Sequence, residues 1–280
     1  MAALAAARVD GPPPGPPPPF GLVTTPGTIV DPGDSHFTAG VIVEPYPPGT
    51  PGTHNPCSTG TARVKAAAPA NVTPPEFSSF TVYMTAACDG MNDAQADWFK
   101  NRLRLAFQAR EGMGVEHEFC FASADSSRPH LTALPFTDLS GGTPVGPKEA
   151  LSLLENAIGA TGELGFVHVD PGTFVAMDGW GLFHDEGATK KTNRGNTVII
   201  GDGYIGAKPD SNPALSADES YAFATGPVLL ARDDVVVIGT TSQSLDRSTN
   251  TITFRAERNY VAYWDTELRV GCNVDRSTTP

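Results

Sequence analysis

Three clusters in this sequence have residue types and spacing suited to chemistry. Gly201-Asp202-Gly203-Tyr204-Ile205-Gly206 matches G-x-G-x-x-G and follows the strand-like run Thr197-Val198-Ile199-Ile200. In a dinucleotide site such glycines open a helix whose N-terminal N–H groups hold the pyrophosphate. Here Pro209 and Pro213 follow, with Asp210, Ser211 and Asn212 between them, so no helix starts in the required register. The pattern predicts a glycine-rich turn and no cofactor.

His168, His184, Asp185 and Glu186 are metal-ligand types. His168, however, alternates with apolar neighbours in a strand, and His184-Asp185-Glu186 is contiguous in a loop. That spacing does not force convergence, and we expect a satisfied core histidine, an acidic surface loop and no metal. Glu116-His117-Glu118 reads as strand, which places Glu116 and Glu118 on one face. Paired carboxylates can do acid–base work. They also form polar strand faces or pair with arginines across an interface, and Arg255, Arg258 and Arg269 on the last strands are available partners. No G-x-S-x-G, P-loop or Cys/His nucleophile pattern is present. The expectation is no catalytic residue and no enzyme.

The elements around these clusters come from a chain of 280 residues with 29 glycines and 26 prolines. Such counts imply many turns and long irregular excursions. Strand patterns outnumber helical ones, which points to an α+β or mostly β class. A net charge of −12 lacks the basic footprint of a nucleic-acid surface. No apolar run approaches the roughly 20 residues that span a bilayer. The opening Met-Ala-Ala-Leu-Ala-Ala-Ala-Arg has no basic region ahead of its apolar residues, so no signal peptide is read. Cys57, Cys88, Cys120 and Cys272 are far apart and read as free thiols, mostly buried. Asn71-Val72-Thr73 fits the glycosylation sequon, but without a secretion signal it is read as a chance match.

In chain order, residues 1–35 hold the proline run Gly11 to Pro19, which favours extended polyproline II. Little apolar surface is available there, so the segment reads as a disordered tail or, if it is ordered, as an arm held by a neighbouring subunit. Phe37 to Glu44 and Thr61 to Ala67 read as a hairpin with a large Pro/Gly-rich tip, Pro45 to Gly60. Phe80 to Thr85 reads as a strand. A long helix follows, capped by Asp89 or Asn92 and ended by Gly112 and Gly114, with Val115 to Phe121 as the next strand. Phe99, Leu103, Ala106 and Phe107 mark its apolar face, widened by Trp98 and Leu105. Residues 122–147 are loop-like. A second helix runs from Pro147 to Gly159, then a strand Gly165 to Val169, a short helix Pro171 to Met177 and a strand Asn196 to Ile200. Tyr221 to Thr225, Val228 to Ala231 and Val235 to Ile238 read as one compact β region. Thr251 to Tyr263 and Leu268 to Val274 close the chain as a long pair.

This order, with Ala150-Leu151…Leu154, Gly165-Phe166-Val167-His168-Val169-Asp170-Pro171, Phe174, Thr225-Gly226-Pro227-Val228 and the closing Leu268 to Arg276, resembles the Hong Kong-type capsid fold. Tailed-phage major capsid proteins and encapsulins share that fold. The resemblance is best over Lys148 to Val274. It implies an N-terminal arm (1–36), an extended hairpin loop (37–68), a peripheral domain with the spine helix (76–147 and 250–276) and an axial domain (148–249). It implies a structural virion protein that assembles into an icosahedral shell of hexameric or pentameric capsomers. Scaffold, portal or decoration proteins would be partners. The genome would be enclosed without sequence-specific binding and without a membrane, after synthesis in the host bacterial cytoplasm. Inter-subunit contacts are expected at Val41, Ile42, Val43, Tyr46, His54, Val64, Arg255 and Arg258. The rival readings are another head or tail component, such as a connector, vertex or tail ring, and an enzyme with an acidic cleft.

Overall fold

A computed structural model describes residues 13–30, 35–43, 74–89, 93–209, 214–239, 245–246 and 251–278. The hairpin tip, with Tyr46, His54, Val64 and the expected strand Thr61 to Ala67, lies outside them. The chain begins with β1 (Ile29–Val30), a 3-10 turn (Ser35–Ala39) and β2 (Val41–Ile42). Phe37 to Ala39 is therefore not strand. β2 pairs antiparallel with β3 (Glu76–Phe77). β4 (Phe80–Asp89) precedes α1 (Asp93–Phe121). Next come β5 (Thr137–Asp138), α2 (Pro147–Thr161), β6 (Phe166–Val169) and α3 (Pro171–Asp178). β7 (Phe183–Glu186), β8 (Thr189–Thr192) and β9 (Thr197–Ile200) follow, then a 3-10 turn (Asp202–Tyr204). β10 (Glu219–Thr225), β11 (Val228–Arg232), β12 (Val236–Ile238), β13 (Leu245–Asp246), β14 (Thr251–Trp264) and β15 (Arg269–Asp275) complete the order.

α1 corrects the expected break at Gly112. The helix runs through both glycines, and Val115 to Phe121 is helical. Val115, Phe119 and Cys120 are buried at helical spacing, and that burial outweighs the propensity cost of two glycines. The 29 residues make a rod about 43 Å long. Leu103 and Phe107 are buried against Ile252, Phe254 and Ala256 of β14. Trp98 and Leu105 do not join the core; they are 48% and 42% exposed, and the Arg102 guanidinium lies 4.9 Å from the Trp98 ring.

The strands form two main sheets. In the first, the 14-residue β14 is central. β4 pairs along one edge, from Tyr260 opposite Phe80 to Thr251 opposite Asp89. β11, β12 and β13 pair with successive parts of β14, and β1 joins β11 in parallel. The second sheet has the order β5-β15-β10-β6-β9-β8-β7, with α2 and α3 packed on it. β10 and β11, read above as neighbours in one region, belong to different sheets. The turn Gly226-Pro227 ends the β10 ladder, and the length of β14 leaves room for β11 and β12 on its edge. The second sheet thus recruits β15 from the chain's end, and the first recruits β11 and β12 from its middle.

Local chemistry sets the helix ends. Asp170 caps α3, its Oδ1 accepting from Gly172 N (2.8 Å) and Thr173 N (3.0 Å), and Pro171 takes the first turn. α2 passes Gly159 and ends at Gly162, whose φ of +82° is the left-handed cap conformation. A Cβ at Gly159 would meet the Arg194 guanidinium, so the glycine inside the helix makes room for that side chain.

Candidate functional site

Residues 13–30 run against their own body. Ile200 N donates to Phe20 O (2.9 Å), Leu22 N to Glu116 Oε1 (2.9 Å) and Leu230 N to Thr28 O (2.7 Å). Leu22 is wholly buried in the main core, and Lys190 Nζ sits 5.5 Å from the Phe20 ring centre. The expectation that an ordered arm is held by a neighbour is corrected for this segment. The short apolar run Phe20-Gly21-Leu22-Val23 after the prolines was the signal that composition concealed.

The junction centres on Glu116, which points from α1 into a cradle of glycines. Its Oε1 accepts from Leu22 N and its Oε2 from Gly203 N (3.2 Å). A Cβ on Gly21 would lie 2.8 Å from Oε1, and a Cβ on Gly201 would lie 2.8 Å from the carboxyl carbon. A Cβ on Gly203 would strike the Glu116 Cβ and the α1 backbone. The G-x-G-x-x-G run is therefore a turn, as expected, and its glycines let backbone approach a buried carboxyl. Burial pushes the Glu116 carboxyl up to about 7. The backbone N–H groups of Leu22, Gly203 and Asp202 oppose that rise, and the Asp202 charge adds to it. Beside the carboxyl opens a cleft of about 530 Å³. Pro17, Pro18, Gly21, Glu116, Asp202 and Arg232 are among its lining residues.

Glu116 and Glu118 do not act together. On a helix, two residues apart point to opposite sides. Glu118 Oε2 instead accepts from Arg128 Nη2 at 2.7 Å, with the guanidinium 4.5 Å from the Phe80 ring centre. Of the arginines proposed as partners, Arg258 pairs with Glu111 (3.0 Å) inside the subunit and is 8% exposed. Arg269 donates to His130 O and Pro135 O, and Arg255 pairs with Glu257 (2.7 Å).

His168 is a satisfied core histidine, as read. Its Nε2 lies 2.9 Å from Thr225 Oγ1 and its Nδ1 3.1 Å from Tyr204 Oη. Thr225 Oγ1 donates to Gly226 O, so Nε2–H donates to Thr225 and Nδ1 accepts from Tyr204. Burial pushes the imidazole down to about 3, and it stays neutral. His184, Asp185 and Glu186 form β7 and not a loop, with Asp185 paired to Lys190 of β8 (2.6 Å). Among the described residues no three His, Cys, Asp or Glu side chains group as metal ligands. Cys120 and Cys272 are buried free thiols. No described helix is long and apolar enough to cross a membrane.

The expected contact residues divide. Val41 and Ile42 form β2, with Ile42 64% exposed, and Val43 is partly buried beside them. Arg255 lies on the face of the first sheet opposite to α1. There Arg255 stands opposite Thr85 and Ile238, and Glu257 opposite Tyr83 and Val236. Tyr83, Val236 and Ile238 are 63%, 49% and 45% exposed, so among the described residues this face is open.

No family model matches the chain, and no curated protein matches it. Solved structures do. The capsid of a native GTA particle is 12% identical, with 97% of this chain and 95% of that one covered, at a TM-score of 0.55. A protein of Microbacterium phage Oxtober96 gives the same figures. The holo-SrpI encapsulin complex from Synechococcus elongatus PCC 7942 is 14% identical, with 74% and 78% covered, at a TM-score of 0.50. The chain has the α+β Hong Kong-type capsid fold.

Proposed function

We propose that this chain is a structural virion protein that self-assembles into the icosahedral capsid shell of a tailed bacteriophage. The observation that carries this reading is the likeness in fold, across 97% of the chain, to the capsid of a GTA particle. The geometry agrees with a mechanical role. The carboxylates that could have formed an acid–base pair are committed separately, Glu116 to backbone and Glu118 to Arg128.

In this reading residues 1–36 are the arm and 37–68 the extended loop. The α1 layer with the β14 sheet forms the peripheral domain (76–147 and 250–276), and the α2–α3 layer forms most of the axial domain (148–249). The loop, with Tyr46, His54 and Val64, lies over the next subunit. Val41, Ile42 and Val43 at its stem and Arg255 on the open sheet face meet neighbours in hexameric or pentameric capsomers. Arg258 is left out because its guanidinium is spent on Glu111. Scaffold, portal and decoration proteins are the further partners. The genome is enclosed by an acidic chain without base-specific contacts.

Sedimentation of the purified protein, with negative-stain images of the same fraction, tests the reading. Capsomers of five or six copies or closed shells are expected, and deleting residues 45–60 abolishes them while the body stays folded. A monomer under all salt and concentration conditions, with or without a scaffold, overturns it.

A further inference from the structure

Glu116 is a buried acid to which the proposed assembly assigns no part. It touches three segments at once: its own helix, the turn at Gly203 and the arm at Leu22. We propose that Glu116 is a proton-operated clasp: protonated, it keeps residues 20–24 seated on α1; ionised, it favours a state in which that segment lifts and the carboxylate meets water.

The cradle supplies dipoles and no cation. Between residues 13 and 30 the arm has no titratable side chain. On α1, Glu111 is occupied by Arg258, while Cys120 is a neutral buried thiol. From the turn, Asp202 faces Glu116 with a like charge and Tyr204 stays neutral. Arg110 and Arg232 line the cleft, and neither makes an ion pair among the described residues. With the clasp closed, ionisation adds a charge to a desolvated site. With it open, the same carboxyl faces water through the cleft it already borders. The state that holds the proton better is favoured at low pH, so rising pH drives opening.

The turn has the parts for such a movement. Thr25 Oγ1 donates to Gly21 O (2.9 Å) and Thr28 Oγ1 to Leu22 O (2.8 Å), so residues 21–28 are bonded to one another. Ile29 and Val30 pair with Leu230 and Ala231 and tether the far end. Opening needs the loss of the Glu116 bond, the Ile200–Phe20 bond and the Leu22 seat, while the tether stays.

Amide hydrogen exchange of the full-length chain, read over residues 19–25 and corrected for the intrinsic effect of pH, tests the clasp. Between about pH 5.5 and about pH 8.5 the segment should open about 30-fold more, the ratio set by a carboxyl that ionises near 7 closed and 4.5 open. Protection of β14 should not change in parallel. Glu116→Gln should abolish the pH dependence. Asp202→Asn, which removes the like charge, should move the midpoint to lower pH, and it carries the test if the glutamine variant does not fold. Unchanged protection in the natural chain overturns the clasp, as does the same pH dependence in Glu116→Gln, an unmoved midpoint in Asp202→Asn, or loss of β14 protection together with the arm.

Discussion

Arg258 Nη1 lies 3.0 Å from Glu111 Oε1 where neither side chain is more than a tenth exposed. The Tyr260 hydroxyl donates to the other Glu111 oxygen at 2.7 Å. This network locks the middle of α1 to β14, so removing one partner strands a buried charge. Arg258→Met should destabilise the fold by about 3–5 kcal/mol. Replacing both charges with methionine should recover most of that loss, less about 1 kcal/mol for the Tyr260 hydroxyl left without its acceptor. Urea midpoints of the three proteins check this. A double variant as weak as the single would show that packing, and not the stranded charge, carries the cost.

The two glycines inside α1 should answer an alanine scan with opposite signs. A Cβ on Gly112 meets nothing within 4 Å, so Gly112→Ala should stabilise by about 0.5–1 kcal/mol through helix propensity. A Cβ on Gly114 would stand 2.7 Å from Val82 Cγ1. Val82 is β-branched and has little rotamer freedom, so Gly114→Ala should cost about 1–3 kcal/mol. Thermal midpoints of the pair decide it.

These glycines also show why part of the fold was legible in the sequence and part was not. Where periodicity and helix-start prolines agreed, as at Pro147 and Pro171, and in the expected strand Gly165 to Val169, local order followed directly from residue type. Gly112 and Gly114 carried a stop signal that only tertiary contact cancels. Gly114 gives Val82 its place, and Val115 and Phe119 fill the core beyond it. The same misreading put Glu116 and Glu118 on one strand face and hid the arm junction. The junction also needs Leu22, 94 residues away, and Gly203, 87 residues away, which no local pattern links to Glu116. The partition of strands was hidden likewise, since β10 and β11 read alike and only β14 and β15 tell them apart.

Two buried groups set opposite pH slopes on stability. The folded Glu116 carboxyl sits above its ordinary value, so the folded chain holds that proton longer, and stability falls as pH rises from about 4.5 to about 7. The folded His168 sits below its ordinary value and stays neutral, so its contribution is lost as pH falls from about 6.5 toward about 3. Between about 4.5 and 6.5 the two slopes cancel, which predicts a plateau from this pair. Glu116→Gln should uncover the histidine slope there, a change of about 3 kcal/mol across the two pH units. Urea midpoints at about pH 4.5 and 6.5 measure it, and equal plateaus in both proteins would remove Glu116 as the compensating group.

Arg255 separates stability from assembly. Its pair with Glu257 is partly exposed, with the guanidinium half in solvent, and such pairs contribute about 0–1 kcal/mol. Arg255→Glu should therefore leave the urea midpoint of the subunit within about 1 kcal/mol of the natural chain. On the open face beside Tyr83, Val236 and Ile238, however, it places two like charges where the proposed neighbour docks. A few lost kcal/mol per contact, repeated round a ring, is enough to suppress a closed particle, because in the proposed shell every subunit repeats the same interface. The expected outcome is a folded subunit that sediments at low mass under conditions where the natural chain forms particles. Particles formed at the natural yield would mean that this face points to solvent in the shell, and the contacts would then rest on the β2 stem and the loop.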